Sequence, residues 1–185
     1  MYKRFISITN KAVTLILGVV LTSVLAVSAF GAPDEQKSGL DRQVRHELLM
    51  LPYYGIFDNL EYSINGGTVT LRGQVVRPTT SSDAVARVRK LQGVTNVVNE
   101  IEVLPLSPFD DQIRGAEYRA IFSKGSLGRY AMGTNPSLHI IVDHGHVSLE
   151  GVVDNQMDKN LAELAAKGVF GVFSVTNNLR ITGRS

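Results

Sequence analysis

The chain has 185 residues, 44% of them hydrophobic and 19% charged, the composition of an ordinary globular protein of one or two small domains. Its formal charge of +2 resides in the first 29 residues, where Lys3, Arg4 and Lys11 meet no acid; the remainder holds 16 basic and 17 acidic residues, a net charge of −1. That balance removes the basic footprint of a nucleic-acid-binding protein, and the lack of cysteine excludes disulfides and a lipid-modified N-terminal cysteine.

Residues 1–29 have the layout of a secretory signal peptide: cations, a mostly apolar run from Ala12 to Val27, then small residues around Ala29. The alternative is an uncleaved N-terminal inner-membrane anchor, because the apolar stretch from Val13 to Phe30 reaches the roughly 18 residues at which a span becomes possible. Residues 30–39 form a short polar lead, expected to be disordered. A first domain is expected over residues 40–104. It opens with a helix from Asp41 to Leu51, which places Val44, Leu48 and Leu51 on one face, with Asp41 as N-cap and Pro52 as the stop. Tyr53, Tyr54, Ile56 and Phe57 follow in a connection too apolar for solvent and are expected to plug this domain's core.

Leu60, Tyr62 and Ile64 then alternate with polar residues, the period of a strand with one buried face. Asn65-Gly66-Gly67 supplies a tight turn, and Val69, Leu71 and Val75 continue the alternation, so the pair is an antiparallel hairpin. Gly73 lies inside the second strand, where a bulge or a close backbone approach would explain it. Pro78 ends that strand. Ser81 or Ser82 can cap a second helix with Val85, Val88 and Leu91 inward and Arg87, Arg89 and Lys90 outward; a third strand runs from Val94 to Val103.

Residues 105–108 are a stiff linker with two prolines nearby in the run Leu104–Pro108, short enough for the domains to touch. A second domain over residues 109–182 repeats the first. Under a fixed shift of 78 positions Gly67 falls on Gly145, Val69 on Val147, Leu71 on Leu149, Gly73 on Gly151, Gly93 on Gly171, and Asn99 on Asn177. The second unit reads as a helix from Phe109 to Phe122 with Ile113 and Ile121 inward, strands around Leu138–Val142 and Val147–Val153, a helix from Met157 to Lys167 and a strand from Val172 to Ile181. It departs from the first by a longer segment between Phe122 and Leu138.

The doubled pattern of Gly67-Thr68-Val69-Thr70-Leu71-Arg72-Gly73 with Gly93-Val94 and Val97-Val98-Asn99, and of Gly145-His146-Val147-Ser148-Leu149-Glu150-Gly151 with Gly171-Val172 and Val175-Thr176-Asn177, resembles the BON domain in tandem. The resemblance covers nearly all of the chain beyond the N-terminal segment. It implies an α+β fold of two helix-strand-strand-helix-strand units, each with two helices on one face of a three-stranded mixed sheet. It also implies a non-enzymatic protein of the periplasm without cofactors, acting at phospholipid surfaces in envelope integrity or osmotic stress. It brings no catalytic residues.

Within that frame the long segment of the second unit is the expected contact site. Lys124 and Arg129 would sit among anionic phospholipid headgroups while Leu127 and Tyr130 enter the boundary, or the same group would meet an envelope protein. Arg87, Arg89 and Lys90 form a secondary cationic face. A protein-binding or chaperone-like module without lipid contact is the alternative. A metal-dependent enzyme would have to use His139, His144 and His146, which have no counterparts in the first unit, so no metal is expected. Gly125-Ser126-Leu127-Gly128 is neither a nucleophile elbow nor, in an exported net-acidic chain, a nucleic-acid clamp.

Overall fold

Residues 33–183 are described by a computed structural model, and the expected signal peptide and the first residues of the lead lie outside them. In the first domain, α1 (Pro33–Leu49) precedes the hairpin β1 (Asn59–Asn65) and β2 (Thr68–Val75), followed by α2 (Pro78–Val88) and β3 (Asn96–Val103). The sheet order is β1-β2-β3, with β1 antiparallel and β3 parallel to the central β2. A parallel return needs a crossover, and α2 supplies it. The apolar positions at i, i+4 and i+8 on α1, Leu40, Val44 and Leu48, meet Val69 and Leu71 of β2 and Ala84 and Val88 of α2 in one core.

The second domain repeats this arrangement with α3 (Pro108–Phe122), β4 (Leu138–Asp143), β5 (His146–Val153), α4 (Gln156–Lys167), β6 (Ser174–Asn177) and β7 (Arg180–Ile181). Its order is β4-β5-β6, and β7 also pairs parallel to β5. The single strand expected from Val172 to Ile181 is thus divided. Asn177 turns its side chain back to accept from the Leu179 amide at 3.2 Å, and Leu179 is buried at the break.

Gly73 and Gly151 hold the same place in the two copies, at φ +114° and +109°. A Cβ at either would stand 2.1 Å from a backbone oxygen, of Asn59 or of Ser137. The close approach expected at Gly73 is therefore real, and it fastens the far end of each hairpin.

Three further expectations change. The first helix begins at Pro33, so residues 33–39 of the supposed lead are helical and Asp41 is an interior residue whose carboxylate accepts from the Tyr62 hydroxyl at 3.0 Å. The second helix begins at Pro78 instead of being capped at Ser81 or Ser82: proline's fixed φ suits the first turn, where its missing N–H costs nothing. Ser81 is buried and accepts from Asn99 Nδ2 at 3.2 Å. The aromatic connection does not simply plug its own core. Tyr54 does, but Tyr53 is exposed under the Arg77 guanidinium, and Phe57 packs against the core of the second domain.

That connection joins the domains into one compact unit. The Ile56 carbonyl accepts from the Ile140 amide at 2.8 Å, Gly55 O lies 3.2 Å from His139 Nδ1, and the Tyr54 and His139 rings are 5.6 Å apart. Asp58, itself buried, holds the connection in shape by accepting from Gly55 N and Val76 N. On the same side of β4, Arg114 of α3 donates to Val142 O at 2.7 Å. The outer edge of β4 is thereby covered, and its residues from Leu138 to Val142 are all buried. No helix among the described residues is long and apolar enough to cross a membrane.

Candidate functional site

The segment between Phe122 and Leu138 contains a 3-10 helix, Gly125–Ala131, of which Leu127 and Tyr130 point into the protein. Leu127 is 0% and Tyr130 5% exposed, both within the second core. The Asp158 carboxylate near the start of α4 accepts from Ser126 Oγ and Arg129 at 2.5 Å, from the Tyr130 hydroxyl at 2.6 Å and from Asn155 Nδ2 at 3.0 Å. Burial pushes the Asp158 carboxyl up, but the donors from Ser126, Tyr130 and Arg129 outweigh it and hold it below the usual carboxylate range. Arg129 also pairs with Asp154 at 3.0 Å. The expectation that Leu127 and Tyr130 are exposed for membrane contact is therefore corrected: both pack into the second core, and the Asp158 carboxylate of α4 holds Tyr130 and its neighbours Ser126 and Arg129 there. Lys124 is exposed outside this latch formed on Asp158, and Arg129 is exposed while belonging to it.

The secondary cationic face is divided as well. Arg87 reaches Glu47 of α1 at 3.2 Å, while Arg89 and Lys90 are exposed beyond the end of α2. The three histidines of the second hairpin go to three partners. His139 is buried against Gly55, with burial lowering its pKa; His144, at φ +50° in the turn, meets Asp143; His146 Nδ1 lies 2.7 Å from Ser174 Oγ. No group of three or more His, Cys, Asp or Glu side chains placed to hold a metal occurs among the described residues.

What the fold does expose is an aromatic tip. The turn between β4 and β5, the loop joining α4 to β6 and the first turn of α3 meet at one end of the second domain, where Phe170 is 98%, Phe173 70% and Phe109 44% exposed. The rings of Phe109 and Phe173 are 6.3 Å apart, and His146 is 5.9 Å from Phe173. Phe109 also rests on Gly171, where a Cβ would stand 3.1 Å from the ring. Under the shift that superposes the copies, Phe170 corresponds to Gln92 and Phe173 to Thr95, both exposed and polar. The fold is thus satisfied without phenylalanine at these positions. Beneath the tip, Asp110 accepts from the amides of His144 and Gly145 at 3.1 and 2.8 Å, which ties the start of α3 to the hairpin turn. The charged side chains nearest in sequence are largely paired: Asp111 with Arg114, Asp143 with His144 and Lys167 with Glu163. These phenylalanines are not among the contact residues expected from the sequence; the signal that could have found them is the repeat, where one copy is polar and the other aromatic.

The fold defines a protein of two fused α+β modules, each a sheet with helices packed on it. The BON domain family matches residues 37–105 and 125–183, and the chain belongs to that family. It is similar to osmotically-inducible protein Y of Escherichia coli (strain K12), 34% identical over 115 residues; the match covers 60% of this chain and 56% of that protein, so it spans little more than half the relative's length. Among solved structures, two determinations of the structural protein CdsD of the type III secretion system of Chlamydia trachomatis, one of its C-terminal domain, match 77% and 78% of this chain and 96% and 94% of theirs. Both are at 13% identity with a TM-score of 0.31, too slight a likeness to carry function.

Proposed function

We propose that this is a non-enzymatic periplasmic protein of the osmotic-stress response, exported by residues 1–29, whose second domain docks on phospholipid membrane surfaces through Phe109, Phe170 and Phe173. The exposed aromatic tip carries the proposal. It protrudes as a loop beside a turn, and its rings are large apolar surfaces that gain by leaving water. The tandem BON architecture and the osmotically-inducible relative support the broader setting.

Because the neighbouring charges are mostly paired, insertion of the rings rather than attraction to anionic headgroups supplies the affinity, and raising salt changes it little. Burying a phenylalanine contributes about 1.5 to 3 kcal/mol, so Phe170→Ser with Phe173→Ser removes about 3 to 6 kcal/mol and should weaken vesicle binding by about 100- to 10,000-fold. Since both side chains are mostly exposed, the denaturation midpoint should hardly move. The test is co-sedimentation of residues 30–185 with phosphatidylglycerol and phosphatidylcholine vesicles at low and high salt. Unchanged binding by the double variant, or no binding by the parent, refutes the lipid reading and favours an envelope protein as partner.

A further inference from the structure

The two domains have equivalent hairpins whose outer edges are treated differently. In each, a two-residue turn closes the hairpin, Asn65 opposite Thr68 and Asp143 opposite His146. The pair flanking such a turn is hydrogen-bonded, and the bonded pairs then alternate along an antiparallel ladder. Leu60, Tyr62 and Ile64 therefore turn their main-chain N–H and C=O groups away from β2, as Leu138, Ile140 and Val142 turn theirs away from β5. In β4 these outward groups meet partners: Ile140 N donates to Ile56 O and Val142 O accepts from Arg114. In β1 the Tyr54 hydroxyl lies beside the Leu60 amide. The outward groups of Tyr62 and Ile64 meet no main-chain or side-chain partner among the described residues.

The Asn59–Tyr62 part of this edge lines a cleft of about 1160 Å³ between the domains, and Ile64 continues the edge beyond it. One wall is the outer part of α1 with Asp41, Arg45 and Leu49; the other is the end of the long segment, Asn135 to Ser137, leading into His139. Small-molecule sites are usually about 300 to 1,000 Å³, so this cleft is larger than such a ligand needs and is long enough for several residues of strand. Its lining carries charges of both signs, Arg45 and Arg180 with Asp41, Glu61 and Glu150, and neither arginine belongs to an ion pair among the described residues. A phosphate or a metal ion calls for one sign. A neutral main chain carrying mixed side chains suits both.

We infer that the free edge of β1, together with the interdomain cleft, binds an extended polypeptide segment that adds as a fourth strand to the first domain's sheet. Main-chain bonds to Tyr62 and Ile64 supply the affinity, and the walls read alternate side chains. This gives the long segment of the second domain a role that its buried 3-10 helix does not. It is independent of the aromatic tip, which lies in other elements.

The test is amide hydrogen exchange on residues 30–185, with and without a pool of heptapeptides randomised at alternate positions. The control pool is N-methylated at every second amide, which removes strand pairing while keeping the side chains. The expected result is that exchange at Tyr62 and Ile64 slows by at least roughly threefold with the first pool and not with the second. A second variant, Arg45→Ala with Arg180→Ala, should reduce this protection while leaving that of β4 unchanged. Equal slowing by both pools, or none, overturns the inference. So does protection that depends on protein concentration without peptide, which would assign the edge to a second copy of the chain.

Discussion

Glu117 gives the sharpest quantitative test of the structure. It lies on the inward face of α3 between Ile113 and Ile121, is 0% exposed, and neither carboxylate oxygen has a partner. Burial alone pushes its pKa from 4.5 to about 8. The folded protein therefore holds a proton at Glu117 that the unfolded chain releases above about pH 4.5. Below that value both states are protonated and the site is harmless; as pH rises towards 8 the folded state is progressively penalised, and stability is lost. The full shift corresponds to about 5 kcal/mol at 1.36 kcal/mol per unit, and relaxation and solvent screening reduce the expected swing to about 2 to 3 kcal/mol. Glu117→Gln keeps the shape and removes the titration. Urea midpoints of parent and variant, taken at pH 5 and pH 8, should show the variant gaining stability relative to the parent by that amount at the higher pH. Comparing the two proteins cancels the other shifted groups, Asp58 and Glu150, which burial raises, and His139, which burial lowers. Parallel pH profiles would show that Glu117 is ionised in the folded state and that its surroundings are wrong.

Other outcomes follow from packing. Gly73→Ala and Gly151→Ala should each destabilise by about 1 to 3 kcal/mol from the positive φ alone, with more from the backbone oxygen 2.1 Å away; urea midpoints equal to the parent's would refute the close approach. Asp158→Ala should cost about 2 to 4 kcal/mol by stranding the donors of Ser126, Arg129 and Tyr130, and limited proteolysis should then cut within residues 123–137; a resistant segment would refute the latch. Leu71→Ala and Leu149→Ala should each cost about 2 to 5 kcal/mol in urea unfolding, since both side chains are fully buried beneath the helices.

The sequence by itself determined the repeat, the two αββαβ units, the hairpin register and the need for glycine at 73 and 151. These are local matters: a period of two, a turn that tolerates positive φ and a crossover helix between parallel strands can all be read along a few residues. It also held the signal for the aromatic tip, as Phe170 and Phe173 opposite Gln92 and Thr95. Only the tertiary structure decided which apolar side chains face water. Lys124, Leu127, Arg129 and Tyr130 have the composition of a membrane-contact loop, yet Leu127 and Tyr130 are buried because Asp158, 28 residues beyond Tyr130, receives the hydroxyl and guanidinium that accompany them. Phe57 left its own core for its neighbour's for a similar reason, since the edge of β4 needed the Ile56 carbonyl beside it. Composition records that a side chain gains by burial; the partner that buries it is fixed by contacts between residues far apart in the chain, where no short-range pattern records the pairing.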